Sequence, residues 1–538
     1  MSSDTRTYLV ANISLPPDAS FEEAFLVSRK RLSKLGLNLP RAEYSIYRKS
    51  VDARKKNDVK LVYTVAVKGN LPPLSSVKKT DGSVTELTVS VPEATVGTEI
   101  PKGEIVIVGT GPSGMFAGLF LAELGYKPIL LERGGDVSDR EKAVERFKKF
   151  GILDKNCNIQ FGAGGAGTFS DGKLVTRIND PLSNYVLSKL VEFGAPEEIL
   201  YLAKPHVGTD ILRCVVENIL GRITALGGKV LYNTCLLSFK SNSDGICEIT
   251  TDKGAIKTGA LVLAIGHSAR DTYSMLMSKG VRLEAKQFSV GMRIEHLTED
   301  IDRAMYGDFA SHPALSHAEY NLAHNTKERG VYTFCMCPGG VVVPAASEEF
   351  GVVSNGMSYH ARDGKNSNSA VVCSVFREDY GSDPASAIEF QRKIERAAYK
   401  AGGENYSAPI ITVGDFLSGD LKNEPSRIMP TYMDGGVKLA RAEEYLPDFV
   451  TKGIKNALLD FDKKISGFAA SDAILTGAET RTSAPVRILR DRDTGLAPGF
   501  DNLYPIGEGA GYAGGITSAA IDGLKAAINI VKRFSPLT

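Results

Sequence analysis

Three glycines at 109, 111 and 114 form the pattern Gly-x-Gly-x-x-Gly, with Pro112 and Ser113 between the last two. The apolar run Ile105–Val108 leads into them, and an apolar, helix-forming run follows to Leu124. A second apolar run ends on Glu132 and Arg133, with Glu132 lying 18 residues past Gly114. In that setting each part has a physical task. Gly109 allows a tight turn, Gly111 lets a pyrophosphate approach the backbone, and Gly114 lets helix and strand pack closely. The helix start presents unpaired N–H groups and a positive dipole end to an anion. Glu132 would accept hydrogen bonds from the ribose hydroxyls of an adenine dinucleotide, and a carboxylate there disfavours the 2′-phosphate of NADP.

A further cluster, Gly162-Ala163-Gly164-Gly165-Ala166-Gly167, repeats the glycine spacing without an apolar strand before it or a long helix after it. It predicts a backbone loop in which Gly165, Gly167, Asp171, Gly172 and Lys173 line a phosphate or an aromatic ring. Lys173 and Arg177 could pair a phosphate or an anionic substrate, or form plain ion pairs. Cys335 and Cys337 stand as Cys-x-Cys. On an ideal strand both face one side, which permits a redox-active pair as well as ordinary core packing. No second Cys/His pair has zinc-ligand spacing, so no metal site is predicted. His267, beside the strand-end Gly266, reads as a loop histidine that either meets a cofactor or is merely structural. No Ser/His/Asp arrangement can be assembled from spacing.

The elements that position these residues follow from periodicity. Residues 1–97 predict a small α+β module of strand, helix and two strands, then a partly structured linker over 70–103. From Gly103 the pattern becomes α/β, with strands at Glu104–Val108, Pro128–Glu132 and Ala260–Ile265 and helices at Pro112–Leu124 and Thr209–Leu226. Between about 287 and 470, strands without alternating helices predict an inserted antiparallel sheet, with helices over Ala385–Ala401 and Leu439–Asp460. Glycine makes up 54 of 538 residues, and 14 of these fall in 103–172 and 8 in 495–523, at the two ends of the α/β part. A net charge of +1 argues against a dedicated polyanion binder, although residues 29–60 hold eleven Lys/Arg against three acids. That basic face is either solvated, a docking surface, or an RNA contact. No apolar run reaches membrane-spanning length, Met1 to Ala19 shows no signal peptide, and seven scattered cysteines suggest reduced thiols. A cytoplasmic location is expected.

Asn502–Glu508 reads as a short strand closing on Gly507 and Glu508, followed by Gly514, Gly515 and a helix from Ile516. This arrangement resembles the second FAD motif of flavoproteins with a glutathione-reductase-like FAD domain. The resemblance implies that Glu508 holds the ribityl–phosphate portion and that the helix from Ile516 points its N-terminus at the flavin. The strand closing at Gly266 and the segment Asn233–Leu236, whose Leu236 backbone would meet adenine, are similar to parts of that domain. Lys49–Arg54, Gly164–Arg177, Phe334–Gly340, Ser354–Ser358 and Gly507–Ala519 together resemble a group of FAD-dependent dehydrogenases over nearly the whole chain.

The fold expected is therefore α/β: a discontinuous Rossmann-like FAD-binding domain (98–285 with 470–538), an inserted α+β domain (286–469) and the N-terminal module (1–97). The function expected is hydride or electron transfer through bound FAD between small molecules, with Cys335 and Cys337 as the catalytic candidates. No second fingerprint marks a resident NAD(P)H domain, so either NAD(P)H docks transiently or the substrate itself is the electron donor. Two other readings stay open: a flavin-dependent RNA-modifying or RNA-binding protein that uses the basic module, and a non-enzymatic nucleotide sensor.

Overall fold

The structure is a computed structural model, and its described residues are 5–536 except 78–81, 89, 90, 177 and 244. Arg177, one of the candidate anion contacts, lies outside the described residues. Strands Lys229–Leu231, Ile129–Leu131, Glu104–Val108, the second half of Gly254–Leu263, and Leu503–Pro505 lie side by side in parallel. Their sequences are nearly continuous apolar runs because both faces are covered. Val106, Ile107, Leu261, Val262 and Leu263 are fully buried. Helices Pro112–Glu123, Thr209–Ala225 and Ile516–Arg533 share one core on one face. On the other face an antiparallel meander (Leu236–Asn242, Gly245–Thr251 and the first half of Gly254–Leu263) packs with helix Arg270–Ser278. Four parallel strands thus come from 104–263 and the fifth from the far end of the chain. The result is a split Rossmann-like sheet.

The second large sheet runs in the order Ala323–Asn325, Gly330–Cys337, Asn366–Val375, Phe288–Leu297, Ile474–Glu479, Ala408–Thr412, Val437–Leu439. It is antiparallel except for the last pair. Its strand Ile474–Glu479 lies beyond the sequence-based boundary at 469. The helix expected over Leu439–Asp460 begins instead at Asp448, and Val437–Leu439 is an edge strand. Pro447 disfavours helical backbone at the residue before it, so it sits at the helix start rather than inside.

The N-terminal sheet has the order Glu43–Asp52, Lys60–Asn70, Thr5–Leu15, Val84–Glu86. Helix Phe21–Lys34 covers it, closed at its start by a reciprocal capping box between Ser20 and Glu23. Val84–Glu86 adds a strand to the stretch expected to be linker. Part of the basic segment is docked: the Lys49 N–H donates to the Tyr201 carbonyl at 2.7 Å, and the Ala203 N–H donates back to the Lys49 carbonyl at 2.8 Å. Among the described residues, no helix is long and apolar enough to cross a membrane.

Candidate cofactor cleft and its flanking groups

The ends of three neighbouring parallel strands carry Gly109, Gly266 and Gly507, and the backbones there touch. A Cβ on Gly109 would lie 2.3 Å from the Ala264 carbonyl oxygen, and one on Gly114 would lie 2.0 Å from the Gly109 oxygen. Gly507 stands over Ser113, Gly509 over Gly266, and Gly523 of the last helix over the Ser113 carbonyl. This interlock brings two helix N-termini, at Gly111 and Gly515, to one cleft. Neither N-cap residue has a side chain to satisfy the first N–H groups. Around Gly266, Gly514 and Gly515 an added Cβ would meet nothing within 4 Å, so the backbone there is open to a ligand.

The second glycine cluster joins the same place. A Cβ on Gly165 would come within 2.9 Å of Gly111, and one on Gly167 would lie 3.2 Å from Ile516. The loop is held from behind by Arg140, whose buried guanidinium donates to the carbonyls of Asn158, Ile159 and Ala163. Only a short 3₁₀ turn, Ala166–Phe169, follows it.

Glu132 is 4% exposed and already accepts four hydrogen bonds: from Thr110 N–H and Oγ1, Gly134 N–H and Gly162 N–H. A carboxylate has about four lone-pair positions. A ribose hydroxyl would therefore have to replace the Thr110 hydroxyl, the one mobile donor of the four. Glu132 also ties the first glycine turn to the second. Arg133 donates to Asp271 at 3.0 Å and lies 4.4 Å over the Phe161 ring. Leu236 is buried, and the segment before it is pinned by N–H bonds from Asn233 to Gly134 and from Thr234 to Glu132.

Asp171 and Lys173, expected to line the cofactor, form a buried ion network, the ion-pair alternative for Lys173. Lys173 lies 3.0 Å from both Asp171 and Glu319, while Arg362 pairs with Asp171 and reaches Glu319 at 2.8 Å. Burial would raise the Asp171 pKa, but Lys173 and Arg362 hold it well below the usual carboxylate range. These charges fasten the glycine loop to the inserted unit, and their partners are too distant in sequence to be seen from spacing. Gly172 has φ +69° and packs against Gly208, so it serves the turn. His267 is buried and bonded to Ser268, and burial pushes its pKa down to about 3, which keeps it neutral.

Glu508 is half-buried, accepts the Gly515 N–H and faces Lys286. Burial raises its pKa from 4.5 to about 7, against the pull of Lys286 and that N–H. An unfolded chain would release this proton above about pH 4.5, whereas the folded chain keeps it to about 7. Stability is therefore lost as pH rises from 5 to 8, by an amount on the order of 3 kcal/mol for this group. Glu508→Gln is expected to remove that slope in urea titrations across this pH range.

Lys286 lines a cavity of about 730 Å³ together with Ser289, Tyr332, Phe376, Arg377 and Arg487. Arg377 and Arg487 both pair with Glu284, at 3.8 and 2.9 Å. Among the described residues, the Lys286 ammonium donates to the Ser483 hydroxyl alone, at 3.5 Å, and burial lowers its pKa. No sequence motif marked Lys286, because its importance lies in where the inserted sheet begins. Cys335 and Cys337 do meet, but not as an ideal strand would place them: a bulge interrupts the strand between Phe334 and Cys337. Among the described residues, no cluster of His, Cys, Asp or Glu could hold a metal ion.

A family model described as "FAD-dependent protein, C-terminal domain-like" matches residues 287–482, and a model of a domain of unknown function matches residues 9–68. A Clostridium beijerinckii protein, described only as uncharacterized, is 47% identical over 528 residues, spanning 97% of this chain and 98% of its own. Among solved structures, CtdE in complex with FAD gives a TM-score of 0.33 at 11% identity, over 80% of this chain and 84% of that one. Glycine oxidase from Bacillus cereus gives 0.35 at 10% identity, over 81% and 99%. At such scores neither structure carries an argument about this chain. The matched segment, 287–482, is similar to the C-terminal domain of an FAD-dependent protein, and it docks beside the split glycine cleft. The chain belongs to one family with the Clostridium beijerinckii protein, which it matches almost from end to end.

The residues of the cleft fit FAD. Two helix N-termini without a capping side chain and the open backbone at Gly266, Gly514 and Gly515 offer glycine surface to a dinucleotide, with the Thr110 hydroxyl giving way to a ribose hydroxyl.

Proposed function

We propose that the chain moves a hydride or an electron pair between FAD and a small anionic molecule that enters the cavity lined by Lys286. The observation that carries this reading is the position of Lys286, a cavity-lining cation that, among the described residues, has no carboxylate in ion-pair range and whose charge also bears on Glu508. Gly109, Gly111 and Gly114, with the N–H groups that follow Gly111, hold the pyrophosphate. Pro112 and Ser113 open that helix, and Glu132 and Arg133 with the segment at Leu236 form the adenosine side. Gly507, Glu508, Gly514, Gly515 and Ile516 form the flavin side, with Gly165, Gly167 and Gly266 between. When bound, FAD supplies the two-electron redox chemistry.

The protein's part is positioning, charge and proton handling. The N-terminal dipole of helix Ile516–Arg533 favours negative charge at its open end, by roughly 0.3–1 kcal/mol. Glu508 sits at that end and, with a pKa of about 7, can hold or release a proton at its carboxyl near neutrality. Lys286 fixes an anionic group of the substrate at the cavity wall.

The test is anaerobic mixing of holoprotein with NADH, NADPH and a panel of small carboxylates beside their amides, followed by the visible flavin band. Carboxylates should bleach the flavin at lower concentration than their amides, and Lys286→Met should erase that difference at unchanged flavin content. If no donor bleaches a flavin that dithionite reduces, the catalytic reading fails and a nucleotide sensor remains. Equal potency of acids and amides removes Lys286 from substrate binding.

A further inference from the structure

The strand Gly330–Cys337 carries two thiols that the reaction above does not use. In a regular strand, side chains two residues apart are separated by about 6.6 Å at the Cα atoms, close to the upper limit of about 6.8 Å for a disulfide. Here the strand is not regular. The register shifts between Phe334 and Cys337, and Cys335 has φ +46°, a left-handed backbone that a side chain rarely adopts. Such a residue folds the chain and draws its neighbours together.

The two thiols stand close enough for the ionisation of one to bear on the other. The Cys337 thiol also lies 3.4 Å from the Cys335 carbonyl oxygen. Behind them stands Arg293, fully buried and fixed by Glu479 and by Asn368. Its Nη1 donates to the Cys335 carbonyl at 3.1 Å and approaches Cys337 Sγ at 3.9 Å. The two thiols differ in access: Cys335 is half-buried and Cys337 is buried. The neighbouring Cys337 thiol, with Arg293 and Lys173 nearby, lowers the Cys335 pKa despite burial, while Asp171 opposes them. The neighbouring Cys335 and burial raise that of Cys337.

We infer that Cys335 and Cys337 form a thiol–disulfide exchange site for low-molecular-weight disulfides, with Cys335 as the attacking thiol and Cys337 as the resolving one. In the first step the Cys335 thiolate attacks a disulfide R–S–S–R. A bond forms between Cys335 Sγ and one sulfur, the S–S bond breaks, and the first thiolate leaves and takes a proton from solvent. In the second step Cys337 gives up its proton and attacks Cys335 Sγ. The intrachain disulfide forms and the second RSH leaves. One disulfide has been reduced to two thiols, and the two cysteines have been oxidised by two electrons. The flavin is not needed for this exchange, so the inference stands or falls separately from the proposed function.

The test uses the full-length holoprotein under argon with 4,4′-dithiodipyridine, read as released thiopyridone and by peptide mass. Wild type should release two equivalents in one fast phase, and the peptide spanning 335–337 should lose two hydrogens. Cys337→Ser should release one equivalent in that phase and keep a thiopyridyl adduct on Cys335. Cys335→Ser should lose the fast phase. The rate at Cys335 should exceed that at the exposed Cys214 by roughly tenfold at pH 7, because Arg293 and Lys173 beside Cys335 favour its thiolate. Arg293→Lys should narrow that gap. A stable adduct on Cys335 in wild type, or a rate at Cys335 no greater than at Cys214, would overturn the inference.

Discussion

Glu395→Gln is expected to cost the protein about 3–5 kcal/mol, the penalty for removing one partner from a buried ion cluster. Glu395 is 2% exposed and receives Arg270 through both oxygens at 2.8 Å, Arg481 at 2.8 and 3.0 Å, and the Thr480 hydroxyl at 2.7 Å. Arg270 comes from the helix that follows Gly266 beside the first sheet, Glu395 from helix Pro384–Ala401, and Arg481 from the end of strand Ile474–Glu479. The carboxylate is therefore the common fastener between the nucleotide sheet and the inserted sheet. Glutamine keeps the shape, but it leaves two buried guanidiniums facing the single remaining carboxylate of Glu348. Glu348→Gln is the contrast. Its side chain is 31% exposed, and water can replace part of what it gives Arg270 and Arg392. That loss should be about 1 kcal/mol. Urea denaturation of the two variants measures the difference, and equal losses would show that Glu395 is not the fastener.

The second large effect falls on the cofactor. Gly114→Ala puts a methyl group 2.0 Å from the Gly109 carbonyl oxygen and 3.2 Å from the Ala264 side chain. Both the turn and the strand end are backbone, so the helix start must move. Gly523 of the last helix rests on Ser113 in the same interlock, and the displacement reaches the other half of the cleft. FAD affinity is expected to fall by at least 100-fold, about 2.7 kcal/mol. Fluorescence titration of the apoprotein with FAD measures this, and circular dichroism checks that the sheet is intact. Retention of FAD at wild-type affinity in a folded Gly114→Ala protein would place the pyrophosphate elsewhere.

The glycine turn at 109–114, its strand and its helix were legible because each demand is local: a positive φ at Gly109, a close contact at Gly114, an apolar run on either side. The C-terminal strand and helix were legible for the same reason. What could not be read were pairings across long stretches of chain. Lys173 read as an anion contact or an ion-pair member, but the partners, Glu319 for Lys173 and Arg362 for Asp171, stand 146 and 191 residues away. Glu132 was legible as a strand-end acid, but not that Gly162, 30 residues on, engages one of its oxygens. The Glu395 cluster, Lys286 and Arg293 have no motif at all, since their partners are set by how the second sheet docks. The cysteine pair was visible as spacing, but the bulge that brings the thiols together was not.

The two glycine segments, 109–114 and 507–515, are proposed to form one FAD site. Its most direct measurement is the FAD released by acid from purified protein, per chain, before and after incubation with excess FAD. One FAD per chain, with the visible spectrum of an oxidised flavin before release, is the predicted result. A colourless protein that takes up no FAD on reconstitution would contradict the account.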